Sequence, residues 1–253
     1  MQREQRRGIS RHKMRTLDLP PAFRLVVLRE VGDAFDHART HASELGAGTL
    51  VFVGRFDLAE FAVILEPEQP LASARRAFYV CMVALGDALA AAAPPEKPIV
   101  IEWPDSIYVD RGLIGGGRLA WPDHSDEGAA PDWLVFGVSI RMAFPTREES
   151  GLHPLSTALA EERFDDVSSE RLVEGFARHL MVLVDRWQEG GFALIATEYI
   201  SRLKPESGVH HTIGEHGDLA VRCAGELIER RHLLPTLKKV PSWLDPRTGG
   251  PRL

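Results

Sequence analysis

Residues Pro98 to Trp121 read Pro-Ile-Val-Ile-Glu-Trp-Pro-Asp-Ser-Ile-Tyr-Val-Asp-Arg-Gly-Leu-Ile-Gly-Gly-Gly-Arg-Leu-Ala-Trp. β-branched and aromatic residues broken by turn formers spell three short strands: 99–103, then 107–109 after the Pro104-Asp105-Ser106 corner, then 113–121 after Asp110-Arg111-Gly112. Gly115, Gly116 and Gly117 fall inside the third strand. Glycine weakens a strand unless something must approach the backbone closely, so the run predicts a flat groove against which a ligand lies.

Outward from this stretch the chain alternates strands and helices. A Leu/Val-rich strand over 24–29 precedes a helix over 34–45 that ends at Gly46, and two further strands cover 49–53 and 60–65. A long helix is expected over 72–91, where Phe78, Met82, Leu85 and Leu89 recur at helical spacing before Pro94-Pro95. A strand follows over 133–143. Two helices cover 168–188, with Leu172, Phe176, Leu180, Leu183 and Trp187 on one face, and 192–203. Beyond Lys204-Pro205 the pattern changes to short strands at 209–213, 219–223 and 226–233. The reading is therefore a domain over 17–204 and a small β-rich module over 205–253, whose Pro- and Gly-rich tail from Pro241 is expected to lie along the surface. Residues 1–16 are basic without an apolar stretch and are expected to form a disordered arm rather than a secretory signal.

Composition narrows the function classes. The chain has 253 residues, enough for one large domain, and its 44% hydrophobic and 26% charged residues are those of an ordinary globular protein. A net charge of −6 argues against a nucleic-acid or anionic-membrane surface. Cys81 and Cys223 are too few for a disulfide framework or a cysteine-based zinc site, which makes a reducing cytoplasm the expected compartment. No apolar run approaches the roughly 20 residues that span a bilayer. His37 and His41 stand four apart on a helix, but no third ligand at metal-site spacing accompanies them. His210, His211, His216 and His232 likewise read as exposed side chains.

The segment Glu-Trp-Pro-Asp-Ser-Ile-Tyr-Val followed by Gly-Gly-Gly resembles the Lys-Trp-Pro-Asn-Asp-Ile-Tyr and Lys-Leu-Gly-Gly-Ile segments of biotin protein ligases, members of the wider biotin/lipoate protein ligase superfamily. Glu66-Pro67-x-x-Pro70-Leu71 is similar to that family's Arg-Pro-x-x-Pro-Leu turn. Phe136-Gly137-Val138-Ser139-Ile140-Arg141 looks like its Ile-Gly-Ile-Gly-Ile-Asn strand. His153 to Leu159 resembles its Ala-Thr-Ser-Leu helix. The resemblance covers about residues 25–203 and implies an α+β fold, a class II aminoacyl-tRNA synthetase/biotin ligase-like mixed sheet flanked by helices.

It further implies a small carboxylic-acid ligand such as biotin, lipoate or octanoate, bound by Trp103, Asp105, Ser106, Gly115, Gly116, Gly117, Arg118, Gly137, Ser139 and Arg141. If the chain is a ligase, ATP and Mg are implied as cofactors with Arg55 as a phosphate contact, and a biotinyl or lipoyl acceptor domain or an acyl-carrier protein as partner. Several positions depart from the pattern. Leu113 stands in the place of the family's lysine, Asp33-Ala34-Phe35 replace Ser-Thr-Asn, and only Gly54-Arg55 remain of a long Gly/Arg loop. The chain's five lysines are Lys13, Lys97, Lys204, Lys238 and Lys239, and none lies between 98 and 203. Forming an acyl-adenylate needs cations against the charge that builds up at phosphate. Two readings stay open: a divergent ligase or acyltransferase, or a binding or regulatory module on the same fold.

Overall fold

The computed structural model describes residues 17–29, 32–145, 153–164 and 167–253. The basic arm expected over 1–16 lies outside them. The strands are β1 (Arg24–Leu28), β2 (Thr49–Gly54), β3 (Leu58–Leu65), β4 (Ile99–Glu102), β5 (Ser106–Val109), β6 (Gly112–Ala120), β7 (Leu134–Arg141), β8 (Val209–Ile213), β9 (Leu219–Cys223) and β10 (Glu226–Arg231). The helices are α1 (Ala34–Thr40), α2 (Ala42–Leu45), α3 (Leu71–Ala74), α4 (Ala77–Ala92), α5 (Ser169–Gly190), α6 (Phe192–Ser201) and α7 (Leu233–Leu237).

Seven strands form one mixed sheet in the order β1-β2-β3-β7-β6-β5-β4, and β8 to β10 form a second, antiparallel one. Only β1 and β2 run parallel in the large sheet. The two faces of that sheet are covered differently. On one, α4 lies between the strands and α5 and α6, so it is buried from Phe78 to Leu85 on every side and reads as continuously apolar. Phe61, Phe136 and Phe176 pack there, with Phe61 tilted against Phe176 and Phe136 nearly parallel to it at 6.1 Å. Leu219 and Val221 of the small sheet, and Leu233 of α7, join the same core. On the other face Ala34, Ala38 and Ala42 bring α1 and α2 close against Val51, Val53, Ala62 and Ile64.

The sequence expectations differ from the structure in four places. The helix expected over 34–45 is two, broken at His41, and the one over 72–91 is preceded by a separate turn of helix, α3. Residues 153–159 form turns rather than a helix. Leu113 N–H donates to Leu155 O and Thr157 N–H to Leu113 O, so this backbone is committed to the start of β6. The tail does not simply lie along the surface: Trp243 is 1% exposed and Leu244 6%. α7 carried no clear periodicity in the sequence.

α5 starts where its capping residue places it. Ser168 is extended, and its side chain accepts from Arg171 N–H at 3.3 Å. Ser168→Ala is expected to lower stability by about 1 kcal/mol, read as a shifted urea midpoint at unchanged slope.

Candidate functional site

β6 and β7 pair antiparallel with Gly116 opposite Ser139 and Arg118 opposite Gly137. Alternate residues of a strand share a face, so Gly116, Arg118, Gly137, Ser139 and Arg141 all present to the side that carries α1. Glu60, opposite Ser139 on β3, joins them. The sequence therefore brings together five of its predicted ligand residues on one surface about three strands wide. Gly117 faces the other way, where a Cβ would lie 2.6 Å from Phe136 and 2.7 Å from Met82 Sδ.

This surface is filled by the protein itself. A Cβ on Gly137 would meet the Phe35 ring, and one on Gly116 would lie 2.5 Å from Trp243 Nε1. The flat groove expected along the glycines is thus occupied by two aromatic side chains. Close approach to the backbone is what the glycines allow, as their positions imply, but the approaching groups are the chain's own. Gly115 is a special case. It sits at φ +144°, and a Cβ there would run into the Ser139 carbonyl of the neighbouring strand.

The polar side chains of the surface are also engaged internally. Asp33 caps α1, accepting from Phe35 N–H at 2.8 Å and Asp36 N–H at 3.0 Å. Arg118 Nη2 lies 2.8 Å from both Asp33 carboxylate oxygens while its guanidinium carbon sits 4.1 Å over the Phe35 ring. Glu60 Oε1 accepts from Ala34 N–H at 2.9 Å, and burial raises the Glu60 pKa above the usual carboxylate range. Arg141, 5% exposed, donates through Nη2 to Pro251 O at 2.5 Å and Arg252 O at 3.2 Å.

The remaining candidates divide. Asp105 and Ser106 are buried beside the glycine strand. Ser106 Oγ donates to Asp105 Oδ1 at 3.0 Å and lies 3.3 Å from Ser242 Oγ, and burial pushes the Asp105 pKa up to about 6. Trp103 donates its indole N–H to the Tyr79 hydroxyl at 3.1 Å, and Tyr79 in turn donates to Gly217 O at 2.6 Å, which makes Trp103 part of the packing around α4. Arg55, in the bend between β2 and β3, donates through Nε at 3.0 Å and Nη2 at 2.7 Å to Asp57, and that bond raises its pKa. Cys81 is fully buried, and burial pushes its thiol pKa far up. His37 and His41 stack with ring centroids 4.4 Å apart, and among the described residues no three His, Cys, Asp or Glu side chains gather as metal ligands.

Sequence reading missed Ser242, Trp243 and Pro251. A single large aromatic in an otherwise Pro/Gly-rich tail was the available signal, because such a residue anchors a segment that has no periodicity of its own. A cleft of about 590 Å³, lined by Phe35, Arg118, Trp121, Lys238, Lys239 and Leu244 among others, lies beside this surface.

A seven-stranded mixed sheet backed by helices, with a glycine-bearing strand beside a Gly-x-Ser strand, defines a protein of the biotin-ligase-like fold class. The structure is similar to that of a biotin protein ligase-like protein of unknown function from Silicibacter sp. TM1040, at 30% identity and a TM-score of 0.72, covering 87% of this chain and 98% of that one. It is also similar to biotin protein ligase from Aquifex aeolicus, at 15% identity and a TM-score of 0.64, covering 83% and 95%. The Leishmania major biotin protein ligase in complex with biotinyl-5-AMP aligns at 17% identity and a TM-score of 0.54, covering 82% and 98%. No curated protein sequence matches. The sequence model of the Biotin/lipoate A/B protein ligase family matches residues 19–201, and the chain belongs to that family.

Proposed function

We propose that this chain is an acid-binding module of the biotin/lipoate ligase fold that does not adenylate its ligand. The observation that carries the reading is the state of its cations. Arg118 is held on Asp33 and Arg55 on Asp57, while the place of the family's lysine is taken by Leu113. An adenylating site needs positive charge free to meet phosphate oxygens as charge builds in the transition state. Freeing either arginine gives up a charge-assisted pair, so these arginines do not fit ATP and Mg among the described residues, and no step is routed through them.

Binding of a small carboxylic acid is supported by what the same surface retains. Arg141 carries a guanidinium of the kind that pairs with a carboxylate, Ser139 and Ser106 carry hydroxyls, and the backbone at Gly116 is covered by a side chain of the C-terminal tail rather than by a neighbouring strand of the sheet. The ligand class is the family's, a monocarboxylic acid such as biotin, lipoate or octanoate. A free acid that is not adenylated has no activated acyl group to pass to an acceptor lysine, which leaves retention of the acid or a change of the surrounding surface as the output.

Calorimetric titration of the full chain with biotin, lipoate and octanoate, each with and without ATP and Mg, tests this reading. One of the acids is expected to bind, with an affinity that ATP does not change. Release of pyrophosphate, or binding of ATP in the acid's presence only, overturns it.

A further inference from the structure

We infer that the segment from Pro241 to Arg252 is a displaceable plug of the acid-binding surface, seated where a ring-bearing carboxylic acid competes with it for Arg141 and for the flat backbone at Gly116. This rests on the acid-binding reading above and says how that site is gated.

The segment is a loop closed on itself. Asp245 N–H donates to Gly250 O at 2.9 Å, Arg252 N–H to Trp243 O at 2.7 Å, and Leu244 bridges Pro251. Arg252 Nε donates back to Leu244 O at 3.0 Å. A loop that satisfies its own backbone can leave its seat without stranding buried backbone groups, and once off the sheet its few internal bonds open to water more often than in the seated state. Among the described residues it meets the sheet through the Trp243 indole against Gly116, the Ser242 hydroxyl near that of Ser106, the carbonyls of Pro251 and Arg252 on Arg141, and Gly250 against Leu58.

The seated state is incomplete at one spot. Trp243 Nε1 and Ser139 Oγ are both buried without a hydrogen-bond partner, in residues 1% and 3% exposed. They are neighbours, because Trp243 lies against Gly116 and Gly116 is the register partner of Ser139. Two orphaned polar atoms at the centre of a contact weaken it relative to an occupant that satisfies them. A carboxylic acid in the loop's place relieves both: its carboxylate accepts from the Ser139 hydroxyl while giving Arg141 a charged, planar acceptor in place of two carbonyls, and the displaced indole N–H reaches water. The space vacated at Gly116 is the width of an indole, which suits a ring better than a straight alkyl chain.

There is also a way in. The 590 Å³ cleft runs beside Pro241 and Leu244, so the loop has open space on one flank. Lys238 and Lys239 stand exposed on its rim, where their charge draws anions toward the entrance.

Hydrogen exchange of the full chain, with biotin, lipoate and octanoate as probes, reads the loop directly. Saturating biotin or lipoate is expected to speed exchange at the amides of Asp245 and Arg252, with a weaker response to octanoate. Trp243→Ala is expected to bind the ring-bearing acids about tenfold or more tighter, because a plugged site lowers apparent affinity by the fraction that is open. Leu244→Ala loosens the loop without touching Gly116 or Arg141, and it serves the same comparison if Trp243→Ala does not fold. Binding that leaves or slows exchange at those amides, with equal affinity in wild type and variant, makes the loop a fixed wall and overturns the plug while the acid-binding reading stands. Binding by neither wild type nor loosened variant overturns both.

Discussion

Replacing Gly115 by alanine is expected to cost about 4 kcal/mol or more, an effect at the extreme of single substitutions. Two independent penalties act there. The backbone sits at φ +144°, which side chains rarely adopt, and the new Cβ would overlap the Ser139 carbonyl, a backbone atom that cannot step aside without opening the β6–β7 pairing. The conformation has a local origin. Ile107 pairs with Gly115 and Tyr108 with Leu113, so Ile114 is an extra residue in β6, and a bulge places its strain on the neighbouring glycine. Gly54→Ala is the control: nothing lies within 4 Å of its Cβ, and the change should stay within about 0.5 kcal/mol. Urea unfolding of the three proteins checks both. A mild Gly115→Ala would mean that the bulge can relax.

Asp105 carries the second large effect, and its sign runs against the usual behaviour of carboxylates. Burial raises its folded pKa to about 6, with Glu102 adding to the shift and the Ser106 hydrogen bond opposing it. Between roughly pH 4 and pH 6 the folded protein therefore holds a proton that the unfolded chain has released. Its contribution is most favourable below about pH 4, is lost as pH rises to about 6, and stays lost above that. The loss is on the order of 3 kcal/mol. Asp105→Asn keeps the acceptor for Ser106 and cannot ionise. The variant is expected to match wild type near pH 4 and to exceed it by on the order of 1–3 kcal/mol at pH 7. Equal stability at both pH values would show that Asp105 ionises without penalty in the folded protein.

Much of the architecture was legible because it rests on local pattern. The strand–corner–strand–turn–strand run of 98–121 appears within a residue or so of its expected bounds, and Ser168 and Gly191 delimit α5 as capping chemistry requires. What failed was decided at long range. Residues 153–159 are set by hydrogen bonds to Leu113, and the Trp243 loop by a surface formed from β6 and β7. The candidate site divides the same way. Strand alternation alone places Gly116, Arg118, Gly137, Ser139 and Arg141 together once β6 and β7 pair, and glycine reports correctly that something comes near. Glycine carries no information about which distant segment arrives, so the groove could be read from residues 115–117 and its occupant could not. The same limit applies to Arg118 and Arg55, whose charge is visible in the sequence while the Asp33 and Asp57 that consume it are known only from the fold.

Among the described residues, the two arginines Arg118 and Arg55 are held on Asp33 and Asp57 rather than left to meet phosphate. Incubating the purified full chain with ATP, Mg and each of biotin, lipoate and octanoate, then resolving the nucleotides chromatographically, tests that most directly. ATP is expected to remain intact in all three reactions, with no acyl-AMP. Acyl-AMP above the protein-free control with any of these acids would contradict the account.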